Sequence, residues 1–265
     1  MKFSFMTWVC PDRDLSQILA ATIRYGYDGV EPRAEAEQQH GVELTATKKQ
    51  RAEIKQQFGD MGVAMSCIAT SRTYSMADDA ERRESVELTK RYATLAHDVG
   101  CPVLRVFGGV IPEGVEKEDA KKYVAEALRE CAVFAAGAGV LVCLETHDDF
   151  SLAQDAADTV RMADHPNAQI VWDVAHPFRA GETMAQSFEY AKPYVKHLHV
   201  HDALLAGGWI AKLMGEGEIP HDEAVRLLNT IDFQGHLSGE WLNPEWPVEE
   251  LLAHDVAVLR AYAAR

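Results

Sequence analysis

The sequence of 265 residues lacks the features of secreted and membrane proteins. No apolar stretch approaches the roughly 18 residues that a membrane-spanning helix needs, and the N-terminal MKFSFMTWVCPDRD has no small-residue cleavage site of a signal peptide. Cysteines are few and odd in number, no two form a CxxC pair, and several lie in apolar runs where a thiol packs as a small hydrophobic group. They are Cys10, Cys67, Cys101, Cys131 and Cys143. We therefore expect a cytoplasmic protein in a reducing compartment, without a membrane partner.

Positive charge is scarce as well. The chain carries 26 basic and 41 acidic residues, a formal net charge of −15. Such a field repels a polyanion, so we expect no nucleic-acid partner. Two explanations of the acidic surplus stay open at this point, a solvated surface that keeps the protein soluble and an acidic pocket that holds a cation. The surface is expected to account for most of these carboxylates.

No Pro-, Gly- or Ser-rich linker and no low-complexity segment interrupts the chain. Short β-rich runs alternate with longer amphipathic runs, and a glycine follows a helix at positions 29, 62, 100 and 139, in steps of 33, 38 and 39 residues. This spacing is typical of repeated βα units. The turn after the first strand, TWVCPD, is not the GxGxxG turn of an open doubly wound sheet. The pattern predicts a single (β/α)8 TIM barrel that forms one domain over residues 1–265.

Eight strands and eight helices are predicted. The strands are Phe3–Trp8, Gly29–Pro32, Val63–Ala69, Val103–Phe107, Val140–Glu145, Ile170–Asp173, His197–His201 and His236–Trp241. The helices are Leu15–Tyr25, Thr45–Met61, Ala80–Val99, Ala120–Ala136, Leu152–Met162, Thr183–Ala191, Asp222–Ile231 and Val248–Ala263. The first helix has the clearest start, because Asp14 and Gln17 are spaced as in a capping box.

Four consecutive predicted strands end in residues of the types that bind metals, and in such barrels the functional side chains lie at the carboxyl ends of the strands. The four residues are Glu145, Asp173, His199 and Glu240. Each one alone could cap a helix, pair with an arginine or pack in the core. Together, three carboxylates that converge with an imidazole repel one another unless a cation lies between them. We therefore predict one divalent metal ion, with Mn²⁺, Mg²⁺ or Co²⁺ favoured by oxygen-rich donors and Zn²⁺ as the alternative.

The strand-end series resembles that of the xylose isomerase-like TIM-barrel superfamily, the sugar phosphate isomerases and epimerases. The matching motifs are Glu145, Asp173-x-x-His176, His199-x-His201-Asp202, Glu240 and the GEGEIP of residues 215–220. The resemblance covers essentially the whole chain and is specific for the superfamily rather than for a substrate. It implies that the four strand-end residues are the ligands of a single metal ion and that His176 contacts substrate oxygens.

Other polar residues lie beside these positions. His147 shares strand parity with Glu145, so we predict that it contacts substrate or supports the ligands, with a hydrogen bond to a neighbouring loop as the alternative. His201 and Asp202 are assigned to substrate or ligand support, with loop structure as the alternative. His197 shares the parity of the metal-ligating histidine but is expected to lie deeper and to pack in the core.

Aromatic and basic residues complete the predicted substrate pocket. Trp8, Phe107 and Trp241 end the first, fourth and eighth strands, and their flat faces suit the C–H faces of a sugar ring, although core packing explains them equally well. Arg105, in mid-strand, is expected to neutralise the acidic centre and to contact substrate. Glu31 ends the second strand and has no predicted role beyond lining the pocket.

The resemblance implies an enzyme that isomerises or epimerises a keto sugar or related polyol by proton transfer α to a carbonyl, through a metal-stabilised enediolate. Glu145 and Glu240, from opposite sides of the ligand arc, are the predicted acid/base pair. The alternative is a metal-dependent dehydratase or lyase on a keto-inositol or a 3-keto-glycoside, and a non-catalytic sugar-binding barrel is less favoured. The expected partner is the small sugar or polyol, and a homo-oligomer is compatible with the family.

The chain departs from two branches of the superfamily. In its ketose 3-epimerases a further Glu lies six residues after the first metal-binding Glu, and an Arg lies six residues after the metal-binding His. Ser151 and Leu205 occupy these positions here, which disfavours a strict tagatose- or psicose-type epimerase. Endonuclease IV-like members carry further histidines where this chain has Ala69 and Phe107, which argues against DNA repair.

Overall fold

The computed structural model describes residues 1–242 and 245–265. Within them the strands are β1 Lys2–Met6, β2 Gly29–Glu31, β3 Ala64–Met65, β4 Ile68–Ala69, β5 Val103–Val106, β6 Leu141–Glu145, β7 Ala168–Asp173, β8 Val195–Val200, β9 Asp202–Leu204, β10 Ile210–Lys212 and β11 His236–Gly239. The α-helices are α1 Leu15–Tyr25, α2 Lys48–Met61, α3 Asp79–Val99, α4 Lys117–Ala138, α5 Ala153–Ala163, α6 Ala175–Arg179, α7 Met184–Ala191, α8 His221–Asn229 and α9 Val248–Ala263.

One parallel sheet curves into a nearly closed barrel. Its strands follow the order β3-β2-β1-β11-β8-β7-β6-β5-β4, and the two edges, β3 and β4, are halves of the predicted third strand, separated only by Ser66 and Cys67. The first half pairs with β2 and the second with β5, while an isolated bridge joins Arg33 to Ala69. The nine segments are therefore the eight strands of a (β/α)8 barrel, and the predicted fold class is confirmed.

The predicted helices are present, with ends that shift by up to three residues. At α1 the predicted capping box forms, because the Asp14 side chain accepts a hydrogen bond from the Gln17 amide at 2.9 Å and the Gln17 side chain accepts one from the Asp14 amide at 3.1 Å. Thr47 and Thr183 start α2 and α7 in the same way. In the described part of the chain, none of the helices combines the length and apolarity of a membrane span.

Five predicted strands, the first, second, fourth, seventh and eighth, are too long at their carboxyl ends. The first stops at Met6, because the chain turns into a 3₁₀-helix at Thr7–Val9, where the Thr7 hydroxyl donates to Gln38 at 2.6 Å. The second and seventh stop one residue short, at Glu31 and Val200. The fourth and eighth stop one and two residues short, at Val106 and Gly239. The sequence pattern also missed the short α6 and the antiparallel β9–β10 hairpin. All these differences lie at the end of the barrel where the loops leave the strands.

The main core lies between the barrel and its helices, and a second, small cluster lies inside the barrel. The inner cluster contains Cys67, Val103, Cys143 and Val171. Strand parity places these side chains on the same face as Arg105, Glu145 and Asp173, one step below them. All five cysteines are buried and unpaired, as expected of thiols that pack as small hydrophobic groups.

Candidate metal centre and active site

Four side chains meet at the carboxyl end of the barrel. They are the predicted ligands Glu145, Asp173, His199 and Glu240, which each offer a donor atom within 4.8 Å of the others. The Nδ1 atom of His199 lies 2.8 Å from Glu145 Oε1 and 3.0 Å from Glu240 Oε2. Three of the side chains are fully buried, and that of Glu240 is 13% exposed. The cluster is therefore enclosed on every side except that of Glu240.

Strand register explains why these residues meet. Asp173 pairs directly with His199 on the neighbouring β8, and Ser238 of β11 pairs with His199 on its other side. Glu240 follows Ser238 by two residues and shares its face of the sheet. Thr146, after β6, exchanges two hydrogen bonds of 2.9 Å with the backbone of Asp173 and so fixes β7 beside Glu145.

The guanidinium of Arg105 lies beneath the cluster. Its Nε is 3.0 Å from Glu145 Oε2, Nη2 is 3.9 Å from Glu240 Oε1, and Nη1 donates to the Thr70 carbonyl at 2.6 Å. Burial acts against its charge, but the two glutamates raise the pKa of Arg105 above its usual value. The side chain is 1% exposed. This position suits the expected neutralising role, and it does not support the predicted substrate contact, because Arg105 does not line the cavity described below.

His199 is held from behind by a buried carboxylate. Its Nε2 atom lies 2.9 Å from Glu31 Oε1, and Glu31 Oε2 lies 2.7 Å from Nε2 of His197. All three side chains are buried. Burial acts against the charged form of each group. His199 and His197 nevertheless hold the pKa of Glu31 well below its usual range. Glu31 and the two glutamates of the cluster hold the pKa of His199 well above its usual range. His197 is thus buried as expected, but it contacts Glu31 through a polar nitrogen and does not only pack in the core.

Asp173 is surrounded by imidazoles. His201 Nε2 lies 2.8 and 3.1 Å from its two oxygens, and His176 Nε2 lies 3.5 Å from Oδ2. The Ala175 amide donates to Oδ1 at 2.9 Å. Although burial acts in the opposite direction, the two imidazoles hold the pKa of Asp173 far below its usual range. One oxygen of this carboxylate is therefore oriented by the backbone, and both face histidines.

A row of three imidazoles leads from Asp173 to the cavity. His176 packs edge-on against His147 with ring centroids 4.3 Å apart, and His201 lies 5.9 Å from His176. Burial lowers the pKa of His176. Burial also acts against the charge of His147, but Asp148, whose Oδ1 lies 2.9 Å from Nδ1, raises its pKa. The wall therefore offers two neighbouring imidazoles whose pKa values are shifted in opposite directions.

A cavity of about 570 Å³ opens above Glu240, within the usual size of small-molecule sites. Its polar lining consists of His147, His176, Arg179, His201, Asp202, Lys212, Glu240 and Glu245. Its apolar lining consists of Trp209, Ile210, Ala211, Trp241, Leu242, Trp246 and Leu251. The β9–β10 hairpin and the segment after β11 supply most of the apolar wall.

The predicted aromatic contacts divide into two groups. Trp241 lines the cavity, and its ring packs so closely over Gly239 that a Cβ atom there would overlap it. Trp8 lies in the 3₁₀-helix beneath the Arg33 guanidinium, 5.2 Å from it, and Phe107 packs under His147 at 4.6 Å between ring centroids. Neither Trp8 nor Phe107 lines the cavity, and both lie beyond the ends of their strands.

Asp202 mainly organises a loop. Its Oδ2 accepts the amides of Gly215 and Gly217 at 2.9 Å each, and its Oδ1 accepts those of Ala203 and Ile219 at 2.9 and 3.3 Å. A side chain at Gly217 would collide with this carboxylate. The GEGEIP segment is therefore folded around Asp202, as the structural alternative predicted, while the residue still borders the cavity.

The sequence pattern missed the contact of Glu31 with the two histidines and the cavity position of Trp209 and Trp246. The first had a signal, since Glu31 ends a strand and therefore belongs to the same layer as the ligands. The two tryptophans lie on loops, whose paths no strand or helix period reveals.

The four-donor cluster fits a divalent cation. Metal–oxygen and metal–nitrogen bonds of about 2.0–2.6 Å place opposite ligands little more than 4–5 Å apart, as the donor atoms lie here. Nδ1 of His199 faces the carboxylates while its Nε2 faces Glu31, so one imidazole nitrogen can bind metal and the other can donate a hydrogen bond. Two other groups of three also bring donors this close, one around Glu31 and one around Asp173.

Solved structures share this fold. The chain superposes with a TM-score of 0.80 on a probable 3-DHS dehydratase from Bacillus anthracis, covering 98% of this chain and 99% of that one at 20% identity. An L-ribulose 3-epimerase gives a TM-score of 0.83, 99% and 94% coverage and 18% identity. An IolI protein with a bound zinc atom gives 0.85, 100% and 98% coverage and 19% identity.

Curated relatives match over part of the chain. A D-psicose 3-epimerase from Ruminiclostridium cellulolyticum is 29% identical over 155 residues, 56% of this chain and 51% of the relative. A 3-dehydroshikimate dehydratase from Bacillus anthracis is 25% identical over 172 residues, 60% of each chain. The chain thus spans about half to three fifths of the length of these relatives.

A protein-family model described as xylose isomerase-like TIM barrel matches residues 19–262. This range includes all four residues of the cluster and all barrel strands except β1. The sequence resemblance is thereby confirmed, and the chain belongs to the xylose isomerase-like TIM-barrel family.

Proposed function

We propose that this protein is a divalent-metal-dependent isomerase or epimerase of a keto sugar or related polyol. The observation that carries the proposal is the cluster of three carboxylates and one imidazole at the floor of a 570 Å³ cavity. The D-psicose and L-ribulose 3-epimerases among the similar proteins support the same reaction class. Mn²⁺, Mg²⁺ or Co²⁺ is the proposed metal, with Zn²⁺ as the alternative.

A metal ion held by Glu145, Asp173, His199 and Glu240 would supply Lewis-acid polarisation of the substrate carbonyl. The proton α to that carbonyl is then moved by a carboxylate, and the two glutamates are the proposed pair. They are unequal in this structure, because Glu145 is fully buried against Arg105 whereas Glu240 opens to the cavity. Glu240 is therefore the group with direct access to the cavity, and Glu145, which does not line it, is the enclosed member of the proposed pair.

The imidazole wall suits the hydroxyl groups of such a substrate. His147, His176 and His201 line the cavity beside Asp173, and each offers a nitrogen that can donate or accept a hydrogen bond. Trp241 and Trp209 supply flat apolar faces on the same cavity. Together these groups can hold a polyol by its hydroxyls and its C–H face.

A second candidate function is a dehydratase or lyase on a keto-inositol or 3-keto-glycoside. The specific observation is His147, a cavity imidazole whose pKa is raised by Asp148 and which can therefore donate a proton to a leaving hydroxyl. Ser151 and Leu205, in place of the Glu and Arg of ketose 3-epimerases, favour this candidate, as does the 3-dehydroshikimate dehydratase relative. Loss of water would give a conjugated enone, which an isomerase does not form.

The remaining features of the proposal follow from composition and family. We propose one domain over residues 1–265, a cytoplasmic location, a small sugar or polyol as the partner and no binding of nucleic acid. The net charge of −15 supports the last point, because it repels polyanions. Association into a homo-oligomer is compatible with the proposal and is tested by light scattering.

The test is solvent deuterium exchange into a panel of keto sugars and keto-inositols, followed by NMR, with chelated and with Mn²⁺-loaded protein. An isomerase or epimerase incorporates deuterium at the carbon next to the carbonyl only when metal is present, whereas a dehydratase produces enone absorbance. Glu240→Gln should abolish both signals. If no member of the panel exchanges or loses water, the sugar-binding barrel becomes the better account.

A further inference from the structure

Glu31 is a buried carboxylate that the proposed reaction does not use. It is the last residue of β2, and its side chain is 0% exposed. In the sheet β1 and β11 separate its strand from β8, so the carboxylate reaches across the barrel interior to His197 and His199. A charge is placed in this interior only where its partners compensate the loss of water.

Both oxygens of Glu31 are directed at imidazoles. Oε1 lies 2.9 Å from Nε2 of His199, and Oε2 lies 2.7 Å from Nε2 of His197. The two rings stand nearly perpendicular, at 87°, with centroids 5.5 Å apart. A carboxylate gripped at both oxygens by two fixed rings has little freedom to rotate, so its lone pairs point in defined directions.

This contact selects one tautomer of His199. A carboxylate accepts hydrogen bonds but does not donate them, so the proton of the neutral ring is drawn to Nε2, which faces Glu31. Nδ1 faces oxygens of Glu145 and Glu240 at 2.8 and 3.0 Å, so a cation held among these groups takes the Nδ1 lone pair. Glu31 then fixes Nε2 as the nitrogen that keeps its proton when metal binds. The opposite tautomer would leave Nε2 and Oε1 as two acceptors 2.9 Å apart in a buried site.

His197 supports Glu31 rather than the cluster itself. Its Nε2 is occupied by Glu31, and its Nδ1 is buried without a hydrogen-bond partner among the residues that the structure describes. Its polar contact in the barrel interior is therefore with the second oxygen of Glu31. The order of contacts is His197 to Glu31, Glu31 to His199, and His199 to the ligand cluster.

We infer that Glu31 is a positioning residue which, braced by His197, fixes the orientation and tautomer of His199 so that Nδ1 binds the metal. The inference rests on the metal site of the proposed function and adds a residue from the other half of the barrel to it. Partners of this kind contribute roughly 10- to 100-fold to metal affinity in other metalloproteins. Glu31 does not reach the cavity, so its effect passes through His199.

The test compares Glu31→Ala and Glu31→Gln with wild type by Mn²⁺ titration against a competing chelator. We expect Glu31→Ala to weaken Mn²⁺ affinity about 10- to 100-fold. Glu31→Gln should weaken it less, because an amide oxygen still accepts from Nε2 in the same place. At saturating Mn²⁺ the exchange activity of Glu31→Gln should return close to that of wild type, which a variant with a damaged fold would not show.

A matched control is Asp255→Asn. Asp255 is another fully buried carboxylate beside a histidine, His254, but it lies on α9 and holds the Met214 amide instead of the cluster. This variant should lose stability while its Mn²⁺ affinity stays that of wild type. The comparison separates loss of a buried carboxylate from loss of ligand positioning.

The second readout is the ¹⁵N histidine spectrum of Zn²⁺-loaded protein. His199 should show a protonated Nε2 and a metal-bound Nδ1 in wild type. Metal bound through Nε2 would overturn the inference, as would Mn²⁺ affinities of Glu31→Ala and Glu31→Gln equal to wild type. If Glu31→Ala does not fold, Glu31→Gln decides alone. Wild-type protein that binds no metal would overturn the proposed function as well, and this outcome is distinct from equal binding by the variants.

Discussion

The two halves of the barrel mouth use their polar residues differently. The later strands β6, β7, β8 and β11 direct four donor groups to one point, and the cavity opens on their side. The earlier strands β2 and β5 carry Glu31 and Arg105, which are buried and touch those donors from below or behind. Trp8, also from the early half, packs under Arg33 and does not line the cavity.

The donor groups at the cavity therefore depend on buried residues of the other half of the barrel for their position. Donors that face a cavity repel one another, and buried partners of opposite charge or matching hydrogen-bond type fix them in place. Arg105 compensates the negative charge of Glu145, and Glu31 fixes the orientation of the His199 ring. Substitutions in the late half should therefore lower turnover, while those in the early half should lower stability and metal affinity.

The largest effect is expected in the late half. Glu240→Gln removes a ligand and the carboxylate that opens to the cavity, so turnover should fall below detection in the deuterium-exchange assay. Glu216→Gln is a matched control, since Glu216 is an exposed glutamate of the GEGEIP loop. Wild-type turnover in Glu240→Gln would break the distinction between the two halves.

In the early half, Arg105→Met should act on stability. It leaves Glu145 buried without its cation, a change that typically costs about 3–5 kcal/mol. Added Mn²⁺ should restore part of the loss, because a metal ion also compensates Glu145. Thermal unfolding with and without Mn²⁺ measures both effects. Arg13→Met, which breaks an exposed pair with Glu249, is the control and should cost at most about 1 kcal/mol. Equal losses from the two variants would contradict the assignment.

His147→Gln should separate catalysis from metal binding within the late half. His147 lines the cavity but is not one of the four donors, so metal content should stay unchanged while turnover drops about 100-fold or more. Elemental analysis and the exchange assay are made on the same sample. His165→Gln, in the loop before β7, serves as the control. Parallel loss of metal and turnover would place His147 among the ligands.

The pH dependence of the chelated protein tests the charge contacts of Glu240 with His199 of the late half and Arg105 of the early half. Burial raises the pKa of Glu240, but the charges of His199 and Arg105 outweigh burial and lower this pKa from 4.5 to about 2. Because the folded-state pKa is depressed, the stabilisation is present above pH 4.5 and is lost as the pH falls toward 2. Unfolding temperatures should therefore drop over this range, and less steeply in Glu240→Gln. Identical profiles of unfolding temperature against pH for wild type and Glu240→Gln would show that these contacts do not lower the pKa of Glu240.

The smallest predicted effect compares two tryptophans. Trp241→Leu removes a flat face from the cavity wall and should raise KM several-fold. Trp8→Leu should leave KM within about twofold, because Trp8 lies outside the cavity lining and surface packing changes are usually small. Substrate saturation curves of the two variants measure the difference. A larger KM change in Trp8→Leu would extend the binding surface into the early half.

Particular residues show how far sequence reasoning reached. Strand-end residues could be predicted, because side chains alternate along a strand and functional residues of such barrels lie at the carboxyl ends of the strands. These two rules predicted the cluster of Glu145, Asp173, His199 and Glu240. The fold followed from βα spacing. Contacts across the barrel were not readable, because no local pattern tells which strand a buried Glu31 will face. Arg105 was expected to do two things, and its burial favours only charge balance.

Strand ends and loops were the other difficulty. Trp8 and Phe107 continue apolar runs in the sequence, but the strands end before them and neither residue lines the cavity. The β9–β10 hairpin brings Trp209 over His201, with ring centroids 4.8 Å apart, through a turn at Gly207 and Gly208 whose tertiary position the sequence does not indicate. Loop-borne parts of a site depend on contacts distant in sequence.

The most direct test of the account is metal content and deuterium exchange measured together during stepwise reloading of chelated protein with Mn²⁺. Exchange into an active keto sugar should be absent after chelation, rise in proportion to bound metal and level off at about one ion per chain. Glu240→Gln should show no exchange at any metal content. Full exchange by chelated protein would show that the four-donor cluster does not act through a bound cation.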